Sequence, residues 1–347
     1  MPERRRIVVK TRGIVLGDFL NLAADRSYIS AGATYLVGGA VRDALMGLPS
    51  DDMDAVVEGK KRAEDFAGYI SEKLNVSYTA HRRFGTYVFK IPDRKNGHKM
   101  YGIDIATARS EVYPSPASLP SVKFDATIRD DLFRRDFTIN AMAVSFADIG
   151  KMADHFSYNG IGKVGRNGCG MYFFYKENII DPFGGMEDLA KKQIRVIQRK
   201  SFIDDPTRII RAARFASRFG FEVEKNTFDL IRSPEVKNAI SRLTPQRIGN
   251  EIALIASERY PAAAIAILIE MDIAKDFFPD INLSKLKVWL ESENRKNRCN
   301  PGDAVFLAEF IRAAAVEPMV FLNRYSLSRK LKKEVVDNLN NKVNDVI

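Results

Sequence analysis

The chain has 347 residues, 46% hydrophobic and 28% charged, which suits two or three packed units of an ordinary globular protein and excludes a disordered or fibrous chain. Lys and Arg outnumber Asp and Glu by 54 to 44, and the net charge of +10 favours a polyanionic partner without specifying one. Cys169 and Cys299 lie far apart with no Cys-x-x-Cys spacing, which argues against a disulfide framework or a cysteine zinc site.

The first ten residues are basic with only Ile7-Val8-Val9 apolar, too short for a signal peptide's apolar region. No later stretch approaches the roughly 20 apolar residues that cross a bilayer. A cytoplasmic protein with no membrane segment and no disulfide partner is expected. From Thr34 to about Phe146 short β-rich runs alternate with helical ones: Tyr35–Val37 and Met53–Val57 read as strands, Lys61–Leu74 as a helix, and Tyr87–Ile91 and Ile103–Ala106 as further strands. Residues 151–180 are glycine-rich and carry Met171-Tyr172-Phe173-Phe174-Tyr175, a pattern that predicts a loop with an irregular β-element. Beyond Asp204 the β signals fade, and Pro206–Phe219, Pro245–Ser257, Pro261–Met271, Leu283–Glu293, Asp303–Ala315 and Leu327–Val346 suit helices, the prolines falling at or near first turns. The expected fold class is α+β, a mixed-sheet head followed by an all-helical part.

The strongest local signal is Leu36-Val37-Gly38-Gly39-Ala40-Val41-Arg42-Asp43, followed nine residues later by Asp52-Met53-Asp54. A strand entering Gly38-Gly39 and then a helix brings bare backbone and N-terminal amides to an anion such as a triphosphate, and Arg42 adds a fork of donors. Asp52 and Asp54 alternate about Met53 on a strand, so both carboxylates project from one face, the hard oxygen set that Mg²⁺ takes with phosphate and water. In a two-metal arrangement no side-chain base is needed, which fits a chain with only three histidines. Asp104, within Ile103-Asp104-Ile105, is a candidate third carboxylate from a neighbouring strand; its plainer reading is a capped or solvent-facing side chain.

Two further segments are candidates. In Arg134-Arg135-Asp136-Phe137-Thr138-Ile139-Asn140, Arg135 can reach a triphosphate while Asp136 and Asn140 offer contacts to a ribose; alternatively Asp136 caps a charged helix start. In Asp204-Asp205-Pro206-Thr207-Arg208 and onward to Phe219, a wheel of about 100° per residue gathers Arg211, Arg214 and Arg218 on a polar side, where a solvated face is the plain reading, and sets Arg208 among Ala212, Phe215 and Phe219. A charge in an apolar arc needs a partner, and Asp205 is expected to supply it or to share a ligand with it. An acceptor beside a donor fork matches the edges of cytosine and adenine and mismatches those of uracil and guanine, so Asp205 and Arg208 are expected to choose the base without a template.

With these elements in order, the chain resembles the class II tRNA nucleotidyltransferase and bacterial poly(A) polymerase family from about Tyr35 to Phe221. Ser201-Phe202-Ile203-Asp204-Asp205-Pro206-Thr207-Arg208, Asp181-Pro182-Phe183-Gly184-Gly185-Met186-Glu187-Asp188-Leu189 and Thr244-Pro245-Gln246-Arg247-Ile248 are similar to its later motifs. The resemblance implies that Asp52 and Asp54 bind Mg²⁺, that Gly39, Arg42 and Arg135 hold the nucleotide, and that Asp205, Arg208, Arg211 and Arg214 recognise it. It further implies a polymerase-beta-like head (1–180), a helical neck (181–257) and a short body and tail (258–347), with the helical parts gripping tRNA at its elbow while CMP or AMP from CTP or ATP is added to the 3′ end.

The acid pair Asp204-Asp205 departs from the Glu-Asp of many relatives, the 151–178 insertion is long and the helical tail short. The segments from His81 to Phe89 and Ile103 to Arg109 look more like tRNA-directed members, which places tRNA before a poly(A) tail as the product. A glycosyltransferase using an Asp-x-Asp metal site leaves the arginine-rich helix without a role, and the absence of histidine after His155 excludes a His-Asp phosphohydrolase tail.

Overall fold

The computed structural model describes residues 5–11, 14–24, 33–59, 62–93, 100–151, 172–296 and 302–344. The glycine run from Gly160 to Gly170, with Cys169, Cys299, His98 and His155, lies outside the described residues. The chain divides into two compact units, one of residues 1–112 and 120–187, the other of 113–119 and 188–347. Among the described residues no helix is long and apolar enough to cross a membrane.

The first unit is built on a seven-stranded sheet in the order Ile179–Ile180, Ala143–Ser145, Thr34–Val37, Asp52–Val57, Met100–Thr107, Thr86–Pro92, Thr79–His81. Asp52–Val57 runs parallel to Met100–Thr107, and the other neighbours in this sheet are antiparallel. Alternation explains the central strands: Tyr101, Ile103, Ile105 and Thr107 are buried, while Gly102, Asp104 and Ala106 look to the other face. The helix Arg62–Leu74 buries Ala63, Phe66, Ala67 and Ile70, a three-and-four spacing that makes one apolar stripe, with Glu64 and Asp65 in its first turn and Lys73 in its last, as the helix dipole favours. Phe66 meets Phe19, whose ring packs edge-on against Phe146 at 5.9 Å.

A smaller four-stranded sheet joins Gly150–Lys151, Tyr172–Tyr175, Arg6–Thr11 and Pro49–Ser50. The apolar run Ile7-Val8-Val9 is thus a strand paired with the aromatic Tyr172-Phe173-Phe174-Tyr175, a tertiary pairing no local pattern announces.

The second unit is helical, with one departure from the expected all-helical part: Glu222–Val223 pairs in parallel with Gln193–Ile194. The helix Thr207–Phe219 ends on Gly220 at φ 63°, the left-handed cap that glycine tolerates. The helices Pro245–Ala256 and Pro261–Glu270 carry proline in their first turn. Gly249 is a close-approach position, since a Cβ there would stand 1.8 Å from the carbonyl oxygen of Tyr325. Tyr325 is buried among Phe278 and Phe321, donates its hydroxyl to the Phe277 carbonyl at 2.8 Å, and is pushed up to about 12 by burial.

Candidate active site

In the first unit the strand Thr34–Val37 runs into Gly38 and the short helix Gly39–Leu45, and lies beside the strand that carries Asp52 and Asp54. Gly38 sits at φ 66°, and a Cβ on it would fall 2.6 Å from Nη1 of Arg135 and 3.6 Å from Oδ2 of Asp54. Glycine is therefore required twice, for its backbone and for the space it leaves to a guanidinium and a carboxylate. At Gly39 the added atom would meet Nη2 of Arg42 at an ordinary 3.5 Å.

Met53 is fully buried between Asp52 and Asp54, so the two carboxylates share the opposite face, and Asp104 lies directly across from Asp54 in the parallel pairing. Burial pushes the Asp54 carboxyl up, opposed by Arg135 and reinforced by Asp52. Asp104 is pushed up to about 6 by burial and then by the negative charges of Asp54 and Asp52. Three hard oxygen-bearing side chains with mutual repulsion fit a divalent cation, whose charge would relieve it. Among the described residues no group of three His, Cys, Asp or Glu side chains forms a ready metal cage, so oxygens from outside the protein would have to complete the shell.

Sequence reasoning missed Gly102. Its backbone N–H donates to Oδ1 of Asp52 at 3.1 Å, and a Cβ at 102 would stand 2.5 Å from that oxygen. A glycine inside an alternating strand pattern is the available signal of such a close approach.

Arg42 is buried one turn into its helix. Its Nε and Nη2 donate to Oδ1 of Asp43 at 2.9 and 2.7 Å, and its Nη1 donates to Oδ1 of Asn140. Asn140 in turn donates to Oδ1 of Asp136 at 3.0 Å, which also accepts the N–H of Phe137 at 2.8 Å. Asp136 and Asn140 were expected at a ribose; here they form a buried line that aims Arg42. Arg135 donates to Oδ2 of Asp131 at 3.2 Å and to the Asn140 carbonyl at 3.3 Å, while its buried Nε has no acceptor among the described residues. Asp131, also unforeseen, is wholly buried: burial pulls its carboxyl up, yet Arg134 and Arg135 prevail and hold it below the usual carboxylate range.

Gly185 lets a helix start rest on this turn, since a Cβ there would lie 2.3 Å from the Thr138 carbonyl oxygen. Asp181 caps that start by accepting from the N–H groups of Gly185 and Met186 at 2.7 and 2.9 Å.

In the second unit Asp205 is not on the helix of Arg208. A short helix Ser201–Asp204 ends before it, Asp205 is extended at φ −140° and ψ 92°, and Pro206 opens the helix Thr207–Phe219. Of the two expected relations, direct pairing of Asp205 with Arg208 is therefore corrected, since Asp205 pairs with Arg247 at 2.7 Å; the other, a ligand shared between them, is not decided by this contact. Arg208 is buried within its apolar arc and donates to the Ser201 hydroxyl at 2.8 Å and to the Tyr113 hydroxyl at 3.5 Å.

Nor is the polar side of this helix simply solvated. Arg214 is 5% exposed, 3.1 Å from Glu258 and 3.7 Å from Glu251, while Arg211 lies 3.9 Å from Glu251 and is part-exposed. Arg218 holds both oxygens of Glu258. Arg211, Arg214 and Arg218 all lie within 5.5 Å of the Phe215 ring centre. Arg214 is thus matched by protein carboxylates, and of the pair Arg211 and Arg214 it is Arg211 that is open to solvent.

Residues 34–166 match the poly A polymerase head domain, and residues 220–284 match the family described as probable RNA and SrmB-binding site of polymerase A. The chain is 35% identical over 262 residues to an A-adding tRNA nucleotidyltransferase of Geobacter sulfurreducens, covering 76% of this chain and 26% of that protein. It is 34% identical over 253 residues to a multifunctional CCA protein of Cupriavidus pinatubonensis, covering 72% and 51%. The chain thus spans about a quarter to a half of these curated relatives. A CCA-adding enzyme solved in an apo form superimposes with a TM-score of 0.62 at 30% identity, over 92% of this chain and 70% of that one.

Proposed function

The chain belongs to the tRNA nucleotidyltransferase and poly(A) polymerase family, and from that premise we propose that it adds CMP, AMP or both, taken from CTP and ATP, to the 3′ end of tRNA in the cytoplasm. The observation that carries the reading is the pair Asp52 and Asp54 on one strand face beside the Gly38 turn, with Asp104 opposite and Arg135 at 2.6 Å from where a side chain on Gly38 would begin. Mg²⁺ bound by Asp52 and Asp54 would supply Lewis acidity toward the attacking 3′-oxygen and the departing pyrophosphate.

The chain's own residues do the rest. Arg42, aimed by Asn140 and Asp43, and Arg135, aimed by Asp131, offer guanidinium donors to the triphosphate. The 3′-oxygen of the RNA forms the new bond to the α-phosphorus as the bond to the β-phosphate breaks and pyrophosphate leaves. Asp205 and Arg208 read the base, and the match at 220–284 supports an RNA-holding role for the helical unit.

The test is to supply tRNAs truncated by one, two or three 3′ nucleotides with single nucleoside triphosphates and Mg²⁺, and to sequence the products. Extension limited to the missing C and A residues is expected, and Asp52→Ala and Asp54→Ala should each abolish it. Long A tails would assign a poly(A) polymerase instead; retained extension in either variant would remove the metal assignment.

A further inference from the structure

The carboxylate of Asp205 is held asymmetrically. Three donors converge on Oδ1: the N–H of Thr207 at 3.0 Å, the Thr207 hydroxyl at 2.5 Å and Nη2 of Arg247 at 2.7 Å. Oδ2 has no partner among the described residues, and the side chain keeps 22% of its exposure. Arg247 is fixed from its other side, where Nη1 donates to the Ala117 carbonyl at 2.7 Å. The N–H of Ala117 donates to the Ile203 carbonyl at 3.1 Å, which closes a ring of hydrogen bonds from residue 203 through 117 and 247 back to 205.

A partly exposed ion pair contributes only modestly to folding stability, so stability alone is a poor account of a fourfold-linked clamp. Its evident effect is to remove the rotation that would otherwise exchange the two carboxylate oxygens. We propose that Arg247 is a specificity-positioning residue: by clamping Oδ1 it aims Oδ2 of Asp205 at the amino group of the incoming base. This rests on the reading that Asp205 chooses the base.

A carboxylate free to turn could meet a base with the wrong pattern through a shifted contact or a bridging water, whereas a fixed one leaves that base unpaired. Loss of Arg247 should therefore blur base choice more than it slows transfer of the preferred nucleotide at saturation.

The experiment measures kcat and KM for each of the four nucleoside triphosphates on a truncated tRNA, with melting temperature as a check on folding. In Arg247→Met the preference for CTP or ATP over UTP and GTP should fall about tenfold, chiefly through KM of the preferred nucleotide, and Arg247→Lys should restore part of it. Thr207→Val, which removes a different donor from the same oxygen, should cause a smaller loss of the same kind and serves if Arg247→Met does not fold. In an Asp205→Asn background, removal of Arg247 should cost no further selectivity. An equal loss for all four nucleotides, or an unchanged ratio, overturns the proposal. If Asp205→Asn loses selectivity while both Arg247→Met and Thr207→Val keep it, the clamp alone is wrong; if Asp205→Asn keeps it, the base-choosing role of Asp205 falls too.

Discussion

In the mixed-sheet unit Asp52, Asp54 and Asp104 share a face of two paired strands, where burial and then the charges of Asp54 and Asp52 push the Asp104 carboxyl up, whereas in the helical unit Asp205, Glu251 and Glu258 each lie against a guanidinium. The first arrangement sets like charges side by side, a repulsion that a cation from outside the protein would relieve. The second is internally matched and fixes helices to one another. Acidic side chains thus gather with one another in one unit and are paired with arginines in the other, and the difference lies in the sign of their neighbours.

The largest expected effect that would break this contrast is at Asp54. Asp54→Asn should lower nucleotide transfer by several kcal/mol in the barrier, roughly a thousandfold. The same change should raise the melting temperature in EDTA, because a carboxyl whose pKa is raised on folding destabilises the fold while it is ionised. A fall in that melting temperature would show that the acids of the sheet are structural after all.

Next in size is Glu258→Gln, which leaves buried Arg214 short of charge beside Glu251 and should destabilise by about 3 kcal/mol in urea unfolding, with the selectivity among nucleotides kept. A neutral outcome would mean that this helix face is solvated in solution.

The smallest effect sharpens the contrast within one unit, since Asp131 is a matched acid in the sheet unit. Asp131→Asn should cost about 2 kcal/mol at neutral pH. Because its folded pKa is depressed, that contribution is present above the unfolded value near 4 and is lost as pH falls through the folded pKa. The gap between wild type and variant, read from urea midpoints, should therefore close below about pH 4; a gap that persists unchanged there would assign the loss to packing.

Periodicity made the central strands and the long helices readable, because buried alternation and the three-and-four stripe are written locally. The placing of Asp52 and Asp54 on one strand face was readable for the same reason, as were the glycine turn and the helix position of Arg42. What escaped was set by distant partners: Arg247 lies 42 residues from Asp205, and Glu251 and Glu258 reach Arg214 from another helix and the turn that follows it. One miss was avoidable, since a residue before proline is pushed out of the helical region, and Asp205 before Pro206 is extended. The close contact of Gly249 with Tyr325 has no local signature at all.

The stretch Tyr113–Leu119 belongs to the helical unit although the chain on both sides of it belongs to the sheet unit. During synthesis it leaves the ribosome long before Ile203 and Arg247, the groups that its Ala117 bonds. The clamp on Asp205 can therefore close only after the chain has been made through Arg247. An expressed fragment beginning at residue 188 would contain Asp205 and Arg247 yet lack the carbonyl that anchors them, so excision of the helical unit at a single cut would change the very group whose aim is in question.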